Sequence, residues 1–347
     1  MSNTESKGYV VLNGQMFHII RLLEYLHIAK IEPRNVKLAI YYDEKKKNSI
    51  SDYKQILIKY GFVDVKYWCL KQTNRSYILM WNKMKISKEI INWFGVRSCS
   101  TLILGNYLSE INLNIVNQIN AVQSVFLDEG NSTVAIAEKR VSNYEYRNPS
   151  IRLALKFLFN YNLSSPNKVV FFTSYPHINV RDVDNIITCD FSFFKKGFPI
   201  KKIKENTMLI LGSPLVEYGY MEQSYYSKNI KDIKDHLDAV EVFYYLPHPN
   251  ETKENIDKVI ALGLILVTSN MPIELLLSFQ EENPKYICSF VTTAFDTLRQ
   301  ILPEDICLRS FYIKEDDFKK YPISWHKIYE NYQNLQSSNF KLIHAKN

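Results

Sequence analysis

The sequence of 347 residues holds only 10 glycines and 12 prolines, too few for a collagenous, linker-like or low-complexity chain. Its five cysteines, Cys69, Cys99, Cys189, Cys288 and Cys307, stand singly. An odd count, without a Cys-x-x-Cys pair or a histidine at zinc-ligand spacing, excludes a disulfide framework and a zinc ribbon. These residues read as buried thiols in a reducing compartment. No apolar run is long enough to span a bilayer, and residues 1–8 lack the basic start and apolar stretch of a secretory signal. The expected location is the cytoplasm. No repeat of fixed period is present.

What the chain has is apolar mass and basic charge. Hydrophobic residues make up 46% of it, which is enough to fill two cores at this length. Lysine and arginine outnumber aspartate and glutamate by 43 to 36, a formal charge of +7 that favours anionic partners such as phosphate-bearing donors or lipid headgroups. The lysines are dispersed and no recognition motif accompanies them, so no nucleic-acid partner is expected.

Short β-branched or aromatic runs alternate with segments of helical period, which implies parallel sheets covered on both faces. Strands are expected at 9–12, 36–42, 63–69, 101–104, 124–127 and 169–172, with an early helix over 15–27 whose Met16, Ile19, Ile20, Leu23 and Leu26 share one face. Residues 191–205 show neither helical nor alternating period and are read as a linker. Their lysines and aromatics suit either a membrane surface or, more commonly, a solvated segment with the rings packed inward. The alternation resumes with strands at 208–211, 242–246, 264–268 and 286–289 and helices at 222–240, 254–262, 272–279 and 293–302. The resulting division is 1–190, the linker 191–205, a second lobe over 206–323, and a closing helix and tail over 324–347. In such α/β lobes ligands lie beyond the carboxyl ends of the strands, and that is where chemistry is sought.

Three segments satisfy that condition. Phe126-Leu127-Asp128-Glu129-Gly130 places two carboxylates at a strand end, suited to accepting a proton from a bound hydroxyl, although a turn or helix cap uses the same residues. Because neighbouring strand positions point to opposite faces, only one of the pair can face an acceptor, and Glu129 is the fallback to Asp128. Leu246-Pro247-His248-Pro249 holds an imidazole between two prolines, a rigid placement for an acid or simply a packed histidine. Ser289-Phe290-Val291-Thr292-Thr293-Ala294 puts two hydroxyls where a helix begins, a phosphate site or an N-cap. A glycine turn, Leu211-Gly212-Ser213-Pro214, lets a nucleotide approach the backbone after the first strand of the second lobe.

In this order the motifs resemble those of bacterial sialyltransferases, above all the lipooligosaccharide sialyltransferases of glycosyltransferase family 52, with related motifs in bacterial polysialyltransferases. Phe171-Phe172-Thr173-Ser174-Tyr175 and Leu211 to Gly219 also look family-like. The resemblance implies a GT-B fold, two Rossmann-like lobes with parallel sheets facing a central cleft. It implies Asp128 as general base, His248 as general acid, and donor contacts from Gly212, Ser213, Pro249, Glu274, Thr292 and Thr293. Acceptor contacts are expected from Asn13, Gly14, Asn106 and Glu129. It further implies an inverting, metal-independent transfer of sialic acid from a CMP donor to a galactoside of a surface glycan, lipid-linked or not. No cofactor is expected. Peripheral contact with the inner membrane and homodimerisation stay open. Asn250 stands where the family has a basic residue, and Thr292 and Thr293 stand where it has serines. Another CMP-nonulosonic acid, legionaminic or pseudaminic, is the alternative donor, and a non-catalytic glycan-assembly protein of the same fold is the alternative role.

Overall fold

A computed structural model describes residues 8–44, 50–143, 149–175, 177–197, 202–237, 239–269, 271–322 and 324–344. The chain divides into two compact units between Phe194 and Lys195.

In the first unit, β1 (Gly8–Leu12), β2 (Val36–Asp43), β3 (Asp64–Leu70), β4 (Ser98–Leu104), β5 (Asn120–Leu127), β6 (Val170–Thr173) and β7 (Asn185–Thr188) form a parallel sheet in the order β3-β2-β1-β4-β5-β6-β7. The crossovers carry α1 (Phe17–Ile28), α2 (Ile50–Lys59), α3 (Ser76–Phe94), α4 (Glu110–Gln118), α5 (Asn131–Val141) and α6 (Pro149–Phe159). Parallel pairing forces each return path over a face of the sheet, so central strands such as β1 (Gly-Tyr-Val-Val-Leu) are buried throughout. Helix α3 stops at Gly95, whose φ of +69° is the left-handed conformation that closes a helix. The chain order runs outward from β1 to β3, then from β4 to β7, which makes the gap between β1 and β4 the switch point where a crevice opens.

The helix α7 (Ser192–Gly197) leads to the second unit. There β8 (Lys202–Leu211), β9 (Val242–Leu246), β10 (Ile265–Leu266), β11 (Glu282–Ser289), β12 (Cys307–Tyr312) and β13 (Phe340–His344) form a parallel sheet in the order β10-β9-β8-β11-β12-β13. Its helices are α8 (Gln223–Lys234), α9 (Lys253–Ile260), α10 (Ile273–Phe279), α11 (Ala294–Ile301) and α12 (Ser324–Asn334). The switch point is between β8 and β11. Each unit has its own apolar core, that of the second built on Met208, Ile210, Tyr245, Ile287, Phe295 and their neighbours.

Several expectations change. The run 191–205 is not a plain linker: α7 occupies part of it and β8 begins at Lys202, earlier than the apolar run at 208–211 suggested. Phe191 and Phe194 are buried, and Glu24 accepts hydrogen bonds from the backbone N–H of Phe193 (3.1 Å) and Phe194 (2.6 Å). The rings therefore pack inward. The closing segment is more than a helix and tail, because β13 completes the second sheet against β12. Strands β7, β12 and β13 are not among the expected ones, since their runs Asn-Ile-Ile-Thr, Cys-Leu-Arg-Ser-Phe-Tyr and Phe-Lys-Leu-Ile-His set polar residues among the apolar ones.

Candidate active site

At the switch point of the first sheet, the loops after β1 and β4 carry Asn13-Gly14 and Gly105-Asn106. Gly14 has φ +42°, and a Cβ there would lie 2.7 Å from Tyr42 Cβ, so no side chain fits. Asn13 Oδ1 and Asn106 Oδ1 are buried and have no hydrogen-bond partner among the described residues. An unsatisfied buried acceptor costs about 1–3 kcal/mol, which a bound hydroxyl donor would remove.

The next strand, β5, ends in Asp128 and Glu129, and their environments are opposite. Asp128 is fully buried. Its Oδ1 accepts from Gly130 N–H (3.0 Å) and Thr133 Oγ1 (2.8 Å), and its Oδ2 from Ser174 N–H (3.3 Å) and Ser174 Oγ (3.1 Å). Arg21 on α1 lies 3.3 Å from Oδ2, held between the rings of Phe17 and Phe191. A carboxylate with both oxygens occupied by donors and a buried guanidinium beside it is an anchor. Glu129 keeps 14% of its side-chain surface exposed and lies 3.4 Å from His18 Nε2. Of the pair, only Glu129 reaches solvent. A bound hydroxyl meets Asp128 only by displacing one of its donors, whereas Glu129 is open to it.

His18, Arg21 and Ser174 are site residues that the sequence reading missed. The signal was present: His18, Arg21 and Glu24 recur at i, i+3 on α1, and all nine residues from His18 to Leu26 are buried. Charged groups inside a helix with no wet face need buried partners. Ser174 explains the Phe-Phe-Thr-Ser-Tyr segment, since it brings β6 onto Asp128.

In the second unit, β9, β8 and β11 are adjacent, and their carboxyl ends bear His248-Pro249, Gly212-Ser213 and Thr292-Thr293 respectively. Gly212 N–H donates to Leu246 O (2.8 Å), which ties the first two loops together. Glu251 lies over Gly212, where a Cβ would collide with its Oε1 and sit 2.6 Å from Tyr245 Oη. Glu251 accepts from His248 N–H (2.6 Å) and from Tyr245 Oη (2.5 Å). Tyr245 Oη is 3.1 Å from Tyr226 Oη, which accepts from Ser213 N–H at 2.9 Å. A buried hydrogen-bonded chain thus runs from the glycine turn to the histidine loop. Burial pushes the Glu251 carboxyl up to about 7, against the lowering effect of its two donors.

His248 is half-buried, and its Nδ1 accepts from Asn250 N–H at 3.1 Å, so the neutral ring carries its proton on Nε2. Burial lowers its pKa, opposed by the nearby Glu217 carboxylate. Glu217 in turn accepts from Thr252 N–H (2.8 Å) and Asn255 Nδ2 (2.8 Å), which fixes the turn after Gly212-Ser213 to the start of α9. Thr293 is exposed just before α11, while Thr292 is half-buried, with its carbonyl bonded to Tyr332 Oη (2.8 Å) and its Oγ1 accepting from Ala294 N–H (3.2 Å). Glu274, on the first turn of α10, is buried, and Pro249 is exposed. Asn250, in place of a basic residue, donates its amide to Tyr218 Oη (2.6 Å).

No curated protein matches the sequence. Residues 167–302, less than half of the chain, match the family model of glycosyltransferase family 52. Among solved structures, an α/β-galactoside α-2,3-sialyltransferase from Photobacterium phosphoreum aligns over 98% of this chain and 99% of its own, with 10% identity and a TM-score of 0.51. TcCGT1 in complex with UDP aligns over 99% and 86% at 8% identity, TM-score 0.50. A UDP-GlcNAc 2-epimerase from Neisseria meningitidis aligns over 89% and 84% at 9% identity, also with TM-score 0.50. At such identities the structural likeness speaks to fold alone, and the epimerase shows that this fold serves more than transfer. The chain has a fold of the GT-B type, and its residues 167–302 are similar to glycosyltransferase family 52.

Proposed function

We propose that the chain transfers sialic acid from CMP-sialic acid to a galactoside-type acceptor of a bacterial surface glycan, with inversion and with no metal or other cofactor. The observation that carries this reading is the gathering of Gly212-Ser213, His248-Pro249 and Thr292-Thr293 on three neighbouring parallel strands, within the family-matched segment. The second unit binds the CMP donor there. Thr292, Thr293 and the N-terminus of α11 receive the phosphate, Gly212 and Ser213 lie along the nucleotide, and Glu274 holds the ribose hydroxyls. The first unit supplies the acceptor site, where Asn13 and Asn106 accept from sugar hydroxyls and Glu129 takes the proton of the attacking one.

In the transfer, the bond from the anomeric carbon to the phosphate oxygen breaks as the bond to the acceptor oxygen forms. The acceptor proton passes to Glu129, and the negative charge leaves with CMP. His248 stabilises that charge by donating Nε2–H to a phosphate oxygen. Full proton transfer from an imidazolium fits less well, because a proton on Nδ1 would confront Asn250 N–H.

The test is a donor and acceptor panel read by mass spectrometry, run with wild type, Glu129→Gln and His248→Ala. Product from CMP-sialic acid with wild type alone supports the reading; near-normal turnover in either variant removes that residue's role. A legionaminic or pseudaminic donor is the second reading, favoured by the uncharged Asn250 bound to Tyr218.

A further inference from the structure

The α6 helix is apolar on nearly every side, yet Leu155 is its only buried side chain. Leu155 packs with Met84, Leu113 and Tyr161, so the side facing α3 and α4 is satisfied. On the opposite side Leu153 and Phe157 stand one helical turn apart, 53% and 78% exposed, flanked by Leu158 at 73%. Phe159 meets Trp81 of α3 edge to face, with ring centroids 6.4 Å apart. Trp81 is itself exposed and shares a helix face with Tyr77, Lys85 and Lys88 at spacings of four and three. Water gains nothing from so concentrated an apolar surface, and scattered exposure does not produce it.

The charge of the same two helices selects the partner. Arg152 and Lys156 are the charged residues of α6, which has no acid. Along α3, Lys83 pairs with Glu110 of α4 (3.6 Å) and Lys85 lies 3.9 Å from Glu89, the one acid of the helix, which leaves this face with a surplus of base through Lys85 and Lys88. Aromatic rings at the rim, long apolar side chains at the crest and lysines on the flanks match a headgroup layer of negative charge over acyl chains. We propose that the exposed face of α6, with Tyr77 and Trp81 of α3, seats the protein on an anionic lipid surface. Phe157 and Leu158 enter the acyl boundary and Lys85, Lys88 and Lys156 meet the headgroups. This places membrane contact in the first unit and away from Phe191 and Phe194, which are buried. It also stands independently of which sugar is transferred.

The experiment is co-sedimentation of the full chain with vesicles of phosphatidylglycerol and phosphatidylcholine in equal parts, and with phosphatidylcholine alone. Wild type is expected to bind the anionic vesicles, to bind the zwitterionic ones at least about ten-fold less, and to be released by salt. The double variant Phe157→Ser, Leu158→Ser should lose at least about ten-fold in partitioning. Lys85→Glu with Lys88→Glu should lose binding to anionic vesicles alone. Both variants replace exposed side chains, and an unchanged circular dichroism spectrum verifies the fold. Equal binding of wild type and the serine variant overturns the proposal, as does an absence of anionic preference. A wild-type dimer in light scattering that the serine variant converts to monomer, without vesicle binding, also overturns it and assigns the face to a second copy of this chain.

Discussion

Replacing Asp128 by Asn preserves the size of the side chain but removes the charge that the buried Arg21 faces. Losing one partner of such a pair costs about 3–5 kcal/mol, so a clear drop in melting temperature is expected by calorimetry. Glu129→Gln touches a partly exposed group and should leave melting nearly unchanged while lowering turnover by on the order of 100-fold or more. If Asp128→Asn were to lower turnover alone and Glu129→Gln were silent, the two roles would have to be exchanged. At His248 burial favours the neutral ring, the form that donates from Nε2. A folded pKa below the unfolded value stabilises the fold above the unfolded pKa, and that stability is lost as pH falls through the folded one. Donor turnover should therefore hold at neutral pH and decline on the acid side, a limb that a rate profile of His248→Gln would lack.

The loops on β8 and β9 act together because Glu251, Tyr245 and Tyr226 join them. Gly212→Ala would drive a methyl group into Glu251 and Tyr245, an overpacking that costs about 1–3 kcal/mol. Because it displaces the nucleotide turn, CMP affinity should fall as well, as titration calorimetry would report. Glu251 titrates near 7 in the fold against an ordinary 4.5. Raised in the folded state, it binds its proton more tightly there than in the unfolded chain, so its contribution is complete below about 4.5 and disappears as pH rises toward 7. Melting temperature measured across that window should fall more steeply with pH in wild type than in Glu251→Gln. Parallel slopes would show that the carboxyl keeps its ordinary affinity for protons.

The two units have separate cores, each with loops at its own switch point, and the proposed function puts the donor in the second and the acceptor in the first. Donor binding should therefore leave a local record: CMP is expected to slow amide exchange at 212–214, 247–250 and 291–294 and to leave the loops after β1 and β4 unchanged. Protection confined to the first unit would reverse the donor and acceptor assignments.

Most of the βα alternation was legible along the chain because period and turn chemistry are local: the strands ending at Leu127, Leu246 and Ser289 are where the apolar runs put them. The same locality made the three chemical segments visible. What pairing in space alone could settle was the direction and state of each side chain. Asp128 became an anchor because Ser174, 46 residues later, and Arg21, on an earlier helix, close around it. Glu251 acquired its proton affinity from burial over Gly212, where no side chain stands, against the lowering effect of Tyr245, and β13 became a strand because β12 offered an unpaired edge. Burial and long-range hydrogen bonding depend on contacts between distant segments, and the order of residues carries the capacity for those contacts without displaying which are made.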